Sequence, residues 1–82
     1  MAETSARLTF HRSLYLPEAV RAAAEAYGAY AESIEVTDTE VETIAVLKGF
    51  DPGYGDVLPD GFANHALFET VVRTRATLGG PA

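Results

Sequence analysis

The pattern of apolar and polar residues predicts a strand and then a helix in the first third of the chain. Leu8 and Phe10 alternate with polar residues across segment 7–11, which is typical of a half-buried strand. Segment 17–30 opens with Pro17, which suits the first turn of a helix because its missing N–H needs no partner there. Apolar residues then recur three and four positions apart, as a helix stripe requires: Val20, Ala23, Ala24, Tyr27 and Tyr30.

Segments 33–36 and 41–47 are predicted to form a hairpin, since both are rich in β-branched residues and a polar run separates them. We expect Ile44 and Val46 to share the core face with Ile34 and Val36 of the first strand. The opposite face would then carry apolar side chains too, and an exposed apolar patch is typical of a binding surface: Val41, Ala45 and Leu47. The alternative is a central strand that the fold covers on both faces.

The last third of the chain predicts a long loop followed by a second helix. Segment 49–61 is rich in glycine and proline, and Asp51-Pro52-Gly53 is a turn signal. Asp60 is a suitable N-cap for a helix over 62–78, where apolar residues recur at helical spacing. A loop of this length is unusual in so small a domain and is often functional.

These elements predict a single α+β domain over residues 7–78, with strand and helix order β-α-β-β-α. Two helices would pack on a small, antiparallel-rich sheet. Residues 1–6 are expected to form a disordered lead and residues 79–82 a frayed tail. An 82-residue chain buries a small core, so association with a partner or with itself is a reasonable expectation.

Composition and charge narrow the possible functions. The chain carries 12 acidic and 6 basic residues, for a net charge of −6, which disfavours nucleic-acid binding. It contains no cysteine and only 2 histidines, so we predict neither a metal site nor a cofactor. The sequence contains neither a membrane-spanning apolar run nor a signal-peptide pattern, and a cytoplasmic location is expected.

No catalytic set is evident among these residues, so the sequence favours a non-enzymatic binding or adaptor protein that captures a peptide or a partner protein. The predicted contact residues lie in the loop and the last helix: Phe50, Tyr54, Asn64, His65 and Phe68. One alternative is a subunit that self-associates to complete its core, as a homo-oligomer. A weaker alternative is a small enzyme in which His65 and a loop aspartate act as acid and base.

Several segments also carry a family resemblance: 8–15, Glu18-Ala19-Val20, the paired segments 34–36 and 44–46, and Phe62-Ala63-Asn64. In these the chain resembles the HxsD-like family, the small D components of His-Xaa-Ser radical-SAM peptide-modification systems. It departs from that family at 65–69, where the family has acidic, aromatic and Leu-Arg positions. The resemblance implies a non-enzymatic accessory component whose partner is a radical-SAM maturase or its precursor peptide.

Overall fold

The computed structural model describes residues 4–77, and these contain three strands and two α-helices. In chain order they are β1 (Ser5–His11), α1 (Pro17–Tyr27), β2 (Ser33–Asp38), β3 (Glu42–Lys48) and α2 (Val57–Thr77). Short 3₁₀ turns lie at Gly28–Tyr30 and Pro52–Tyr54. The sheet is antiparallel with strand order β1-β3-β2, so β3 is central. The predicted α+β fold and its element order are confirmed.

The start of the sheet lies further toward the N-terminus than the alternation of side chains predicted. Ser5 and Ala6 pair with Lys48 and Leu47 of β3, so they belong to β1 and the predicted disordered lead is wrong for them. Residues 1–3 of that lead, and the predicted tail at 79–82, lie outside the described residues.

The two faces of β3 are the reverse of the prediction. In the register of the hairpin, Val36 lies opposite Ala45, and this puts Ala45 and Leu47 on the core side with no exposed surface. Ile44 and Val46 lie on the open face, where they are only partly buried. Both faces of this strand are apolar in sequence, so composition did not indicate the side on which the helices pack.

Small side chains on α1 permit the helix to pack closely on the central strand. Ala19, Val20 and Ala23 are fully buried, and the equally buried Ala45 lies on the core face of β3. Phe62 of α2 is also fully buried in this core. An alanine pair at a helix–sheet contact brings the backbones together without leaving a void, which is how a short chain keeps a dense interior.

α2 begins at Val57, five residues before the predicted start. Pro59 was interpreted as part of a loop over 49–61, but it occupies the first turn of α2. A missing N–H costs nothing there, because the first amides of a helix have no intrahelical partner. The amide of Asp60 donates to the carbonyl of Asp56 at 3.0 Å, so Asp60 lies inside the helix and is not its N-cap.

Two polar contacts tie the helices to their surroundings. Arg21 of α1 donates to Asp38 of β2 at 2.6 Å, and the buried Thr43 hydroxyl donates to the other carboxylate oxygen at 3.0 Å. The amide of Leu16, just before α1, donates to the Thr70 hydroxyl of α2 at 3.2 Å.

Within residues 4–77, neither helix has the length and apolarity that crossing a membrane requires.

Candidate functional site

Five aromatic rings form a continuous series along the groove between the end of α1 and α2. Tyr54 meets Tyr30 edge-on with ring centroids 6.1 Å apart, and Tyr30 lies 5.7 Å from Tyr27. Tyr27 lies 5.9 Å from the His65 imidazole, which in turn lies 6.4 Å from Phe68. We call these five residues the aromatic row. Neighbouring rings are inclined to one another by 52° to 86°, so the row presents both edges and faces.

A cavity of about 370 Å³ opens at the tyrosine end of the aromatic row. Its wall combines three tyrosine rings with aliphatic side chains and one glycine: Ala26, Tyr27, Tyr30, Tyr54, Val57, Leu58 and Gly61. Val57 is 75% exposed at this point. The volume is at the small end of ligand sites and suits one or two side chains of a bound peptide.

A tight turn positions Tyr54 at the edge of this cavity. The Asp51 carboxylate accepts the Gly53 amide at 2.8 Å, and the Tyr54 amide donates to the Asp51 carbonyl at 3.0 Å. Pro52 fixes the backbone at the start of this 3₁₀ turn. The turn signal in the sequence therefore holds one ring of the aromatic row in place.

Tyr27 is the ring that joins the aromatic row to the hydrophobic core. It contacts Phe62 edge-on with centroids 5.8 Å apart, and Phe62 is fully buried. Its hydroxyl lies above Gly61 of α2, close enough that a Cβ at Gly61 would be only 2.8 Å away. Glycine at this position therefore lets the tyrosine ring lie against the helix backbone.

Charged neighbours along α2 hold His65. Its Nε2 lies 3.5 Å from Glu69, whose second carboxylate oxygen lies 3.3 Å from Arg73. The carboxylate that His65 contacts is thus that of Glu69, one helical turn away on α2. Among the described residues, no three histidine, aspartate or glutamate side chains are grouped to hold a metal ion.

The structure brings together three of the five predicted contact residues. Tyr54, His65 and Phe68 belong to the aromatic row, and Phe68 is 61% exposed. Phe50 is buried in the core at 5% exposure, so its prediction as a contact residue is corrected: the loop returns to the domain earlier than expected. Asn64 is exposed on the outward side of α2, about 100° around the helix from His65.

Sequence reasoning assigned Tyr27 and Tyr30 to a core stripe and did not place them in the candidate site. Tyr30 is 48% exposed because α1 ends at Tyr27 and the chain continues as a 3₁₀ turn. The feature of the sequence that could have placed them in the site is the pair of tyrosines three residues apart, just before a predicted strand. Glycine at position 28 weakened the helix at that point.

The sequence around the aromatic row carries negative charge. No lysine or arginine occurs between Lys48 and Arg73, and this stretch contains four acidic residues: Asp51, Asp56, Asp60 and Glu69. Asp56 and Asp60 directly precede two residues of the cavity wall, Val57 and Gly61. A ligand that binds this segment of the chain therefore meets a net negative charge.

Comparison of the chain with known protein families, with curated proteins and with solved structures found no match. The fold and the aromatic row therefore provide the basis for a functional proposal, and the resemblance to HxsD-like proteins stays a prediction.

Proposed function

We propose that this protein is a non-enzymatic adaptor that captures a peptide, or an extended segment of a partner protein, along the aromatic row. The observation that carries the proposal is the continuity of five rings beside an apolar cavity. Aromatic side chains are the residues that most often dominate the energy of protein recognition, since they bury a large area at little cost in conformational entropy.

The size of the site favours a peptide over a small metabolite. The ring series extends from Tyr54 beyond the cavity to Phe68 on α2, so a ligand that filled only the cavity would leave part of it uncovered. An extended segment could place one side chain in the cavity and lay the next residues across His65 and Phe68. Tyrosine hydroxyls donate and accept hydrogen bonds, so the three tyrosines of the cavity wall can also bind the peptide backbone.

The charge around the site favours a peptide with basic residues. Cations are attracted both by carboxylates and by the faces of tyrosine rings. A lysine or arginine stem also matches the apolar wall of the cavity, since its methylene groups pack on apolar surface. We therefore expect ligands that combine an apolar or cationic anchor with a net positive charge.

The finer identity of the partner follows from the family resemblance alone. A precursor peptide of a radical-SAM maturase, or the maturase itself, is the partner that an HxsD-like accessory component implies. Presentation of a precursor peptide by a groove fits a protein without catalytic chemistry of its own. This part of the proposal is tested separately from capture itself.

Selection from a random-peptide display library against the immobilised chain tests capture. We expect enrichment of basic peptides that contain an apolar or aromatic residue. The affinity of a synthetic selected peptide, measured by fluorescence anisotropy, should fall at least about tenfold in Tyr54→Ala and in Phe68→Ala, as for aromatic hot spots elsewhere. Co-purification with a radical-SAM enzyme encoded beside the chain tests the finer identity.

A matched control is available in Val41→Ala. Val41 is 65% exposed and lies in the β2–β3 turn, away from the residues of the aromatic row. This variant should bind the selected peptide with unchanged affinity. Loss of binding in Val41→Ala, or full binding in Tyr54→Ala, would show that the aromatic row is not the site of capture.

A further inference from the structure

The outward face of α2 carries exposed apolar side chains that the domain itself does not cover. Leu67 is 46% exposed and Val71 is 40% exposed. After Thr70, every residue from 71 to 76 is exposed on all sides of the helix, so this part of α2 projects beyond the body of the domain. This face contains none of the residues of the aromatic row, although Phe68 of the row lies next to it on the helix.

Five exposed residues define a stripe along this face: Asp60, Asn64, Leu67, Val71 and Arg75. They recur at spacings of four, three, four and four positions, which in an α-helix places them within a sector of about 80°. We call them the outer stripe. Such a spacing is typical of the seam along which two helices pack.

The outer stripe is self-complementary in charge. It begins with an acidic residue, Asp60, and ends with a basic residue, Arg75. Its midpoint lies between Leu67 and residue 68, and Asp60 and Arg75 lie equally far from that point on either side. Asn64 and Val71 are also equidistant from it.

We propose that two copies of this chain associate through the outer stripe, with their α2 helices antiparallel around a two-fold axis beside Leu67. The axis brings Asp60 of each copy level with Arg75 of the other, which makes two equivalent ion pairs. Leu67 then packs near its own symmetry mate, and Asn64 meets Val71. A two-fold interface must be self-complementary in this way: if one residue of the first copy contacts a second residue of its partner, the same contact occurs with the two copies exchanged.

A single helix stripe limits the strength of this association. It buries less than the roughly 800 Å² per partner of standard stable interfaces, so a weak, concentration-dependent dimer is expected. His65 lies about 120° around the helix from the centre of the outer stripe, whereas Phe68 lies about 60° from it and beside the two-fold axis, so the dimer covers the Phe68 end of each aromatic row. The inference rests on the outer stripe and is tested on the free chain without peptide, so it does not depend on the proposed peptide capture.

Sedimentation velocity over a range of protein concentrations tests the dimer. The full chain should shift from 8.7 kDa to twice that mass as its concentration rises. Asp60→Arg and Arg75→Asp should each weaken the dimer at least about tenfold, because either change turns both ion pairs of the homodimer into pairs of like charge. Leu67→Asp should weaken it further, whereas Val41→Asp, at a more exposed apolar residue outside the outer stripe, should leave it unchanged.

Charge exchange tests the antiparallel register. An equimolar mixture of the Asp60→Arg and Arg75→Asp chains should form a heterodimer, since each of its two ion pairs then joins an arginine of one chain to an aspartate of the other. The double variant should recover homodimerisation for the same reason. Both charge reversals oppose the α2 dipole and lower helix stability, but the double variant carries both penalties, so its recovery excludes misfolding as the cause.

Several results would overturn the inference. A mass of 8.7 kDa at every concentration up to about 1 mM would rule out the dimer, because even a dimer with a Kd of about 1 mM is detectable at that concentration. A dimer that persists in Leu67→Asp would have to use another surface, such as the free edges of β1 or β2. Single reversals without effect, or mixtures that remain monomeric, would contradict the antiparallel register.

Discussion

The Tyr27 hydroxyl lies above the Gly61 backbone, 2.8 Å from the position that a Cβ on Gly61 would take. This contact sets how closely the end of α1 approaches the first turns of α2. Tyr27 also contacts Phe62 in the core and His65 in the aromatic row, so one ring joins the interior of the protein to its candidate binding surface.

Gly61→Ala should therefore displace Tyr27. Alanine favours a helix over glycine by about 1 kcal/mol, but here the added methyl group conflicts with a rigid ring and offsets that gain. We expect a changed near-UV circular dichroism signal from the tyrosines, weaker binding of a selected peptide, and no net gain in the free energy of unfolding.

Gly28→Ala provides the matched control for this change. A Cβ at Gly28 would meet no atom within 4 Å, and its backbone has helical angles with φ of −59°. This variant should gain about 0.4–1 kcal/mol of stability, with the tyrosine signal unchanged. Equal gains in both variants would show that the Tyr27–Gly61 contact has no energetic consequence.

Acid should weaken the link between α1 and the sheet. The hydrogen bond from Arg21 lowers the pKa of Asp38 below its ordinary value of 3.8, with a further contribution from the Thr43 hydroxyl. Because the folded-state pKa is lower than the unfolded one, the stabilisation is complete above about pH 4 and is lost as the pH falls through the folded-state pKa. Urea unfolding of wild type and Arg21→Gln at several pH values measures how much the Arg21–Asp38 pair stabilises the protein at each pH.

The difference in unfolding free energy between these two proteins should be largest near neutral pH and should shrink below pH 4. Other carboxylates contribute equally to both proteins, so the comparison isolates the Asp38 pair. In the Asp38→Asn background, the difference in unfolding free energy that Arg21→Gln causes should not depend on pH in this window. A difference that stays constant from pH 7 to pH 2 would contradict the assigned role of Asp38.

Two substitutions on β3 test which of its faces packs against the helices. Leu47 has no exposed surface, so Leu47→Ala should cost about 2–5 kcal/mol, which is enough to unfold much of a small domain. Ile44 lies on the open face and is only partly buried, so Ile44→Ala should cost about 1 kcal/mol. Thermal denaturation by circular dichroism compares them, and the opposite ranking would restore the face assignment drawn from sequence.

Much of the fold could be predicted because local patterns and tertiary packing agree. Pro17 starts α1 as expected, and the polar residues before Glu42 form the hairpin turn, where the Thr39 hydroxyl accepts the Glu42 amide at 3.0 Å. The start of α2 could not be predicted well. Pro59 and Gly61 disfavour a helix locally, but Leu58 and Phe62 bury their side chains on one side of it and outweigh that preference.

The candidate site was predictable only in part, for a geometric reason. Sequence drew attention to Tyr54, His65 and Phe68 because aromatic residues in a loop and on a wide apolar helix face are unusual. It could not show that Tyr27 and Tyr30 join them, since that contact depends on where α1 ends and how it meets α2. Phe50, like Tyr54, is an aromatic residue in the segment rich in glycine and proline, yet its side chain is buried in the core at 5% exposure.

The sequence by itself determined the type and order of the strands and helices, the acidic character of the chain, and the charge order along the outer stripe. Those properties depend on residue spacing and composition, which tertiary contacts do not alter. Tertiary structure decided which face of β3 is buried and which aromatic rings meet. Both depend on strand register and helix approach: a register shift of one residue exchanges the buried and exposed faces of a strand, and one methyl group at Gly61 would displace Tyr27.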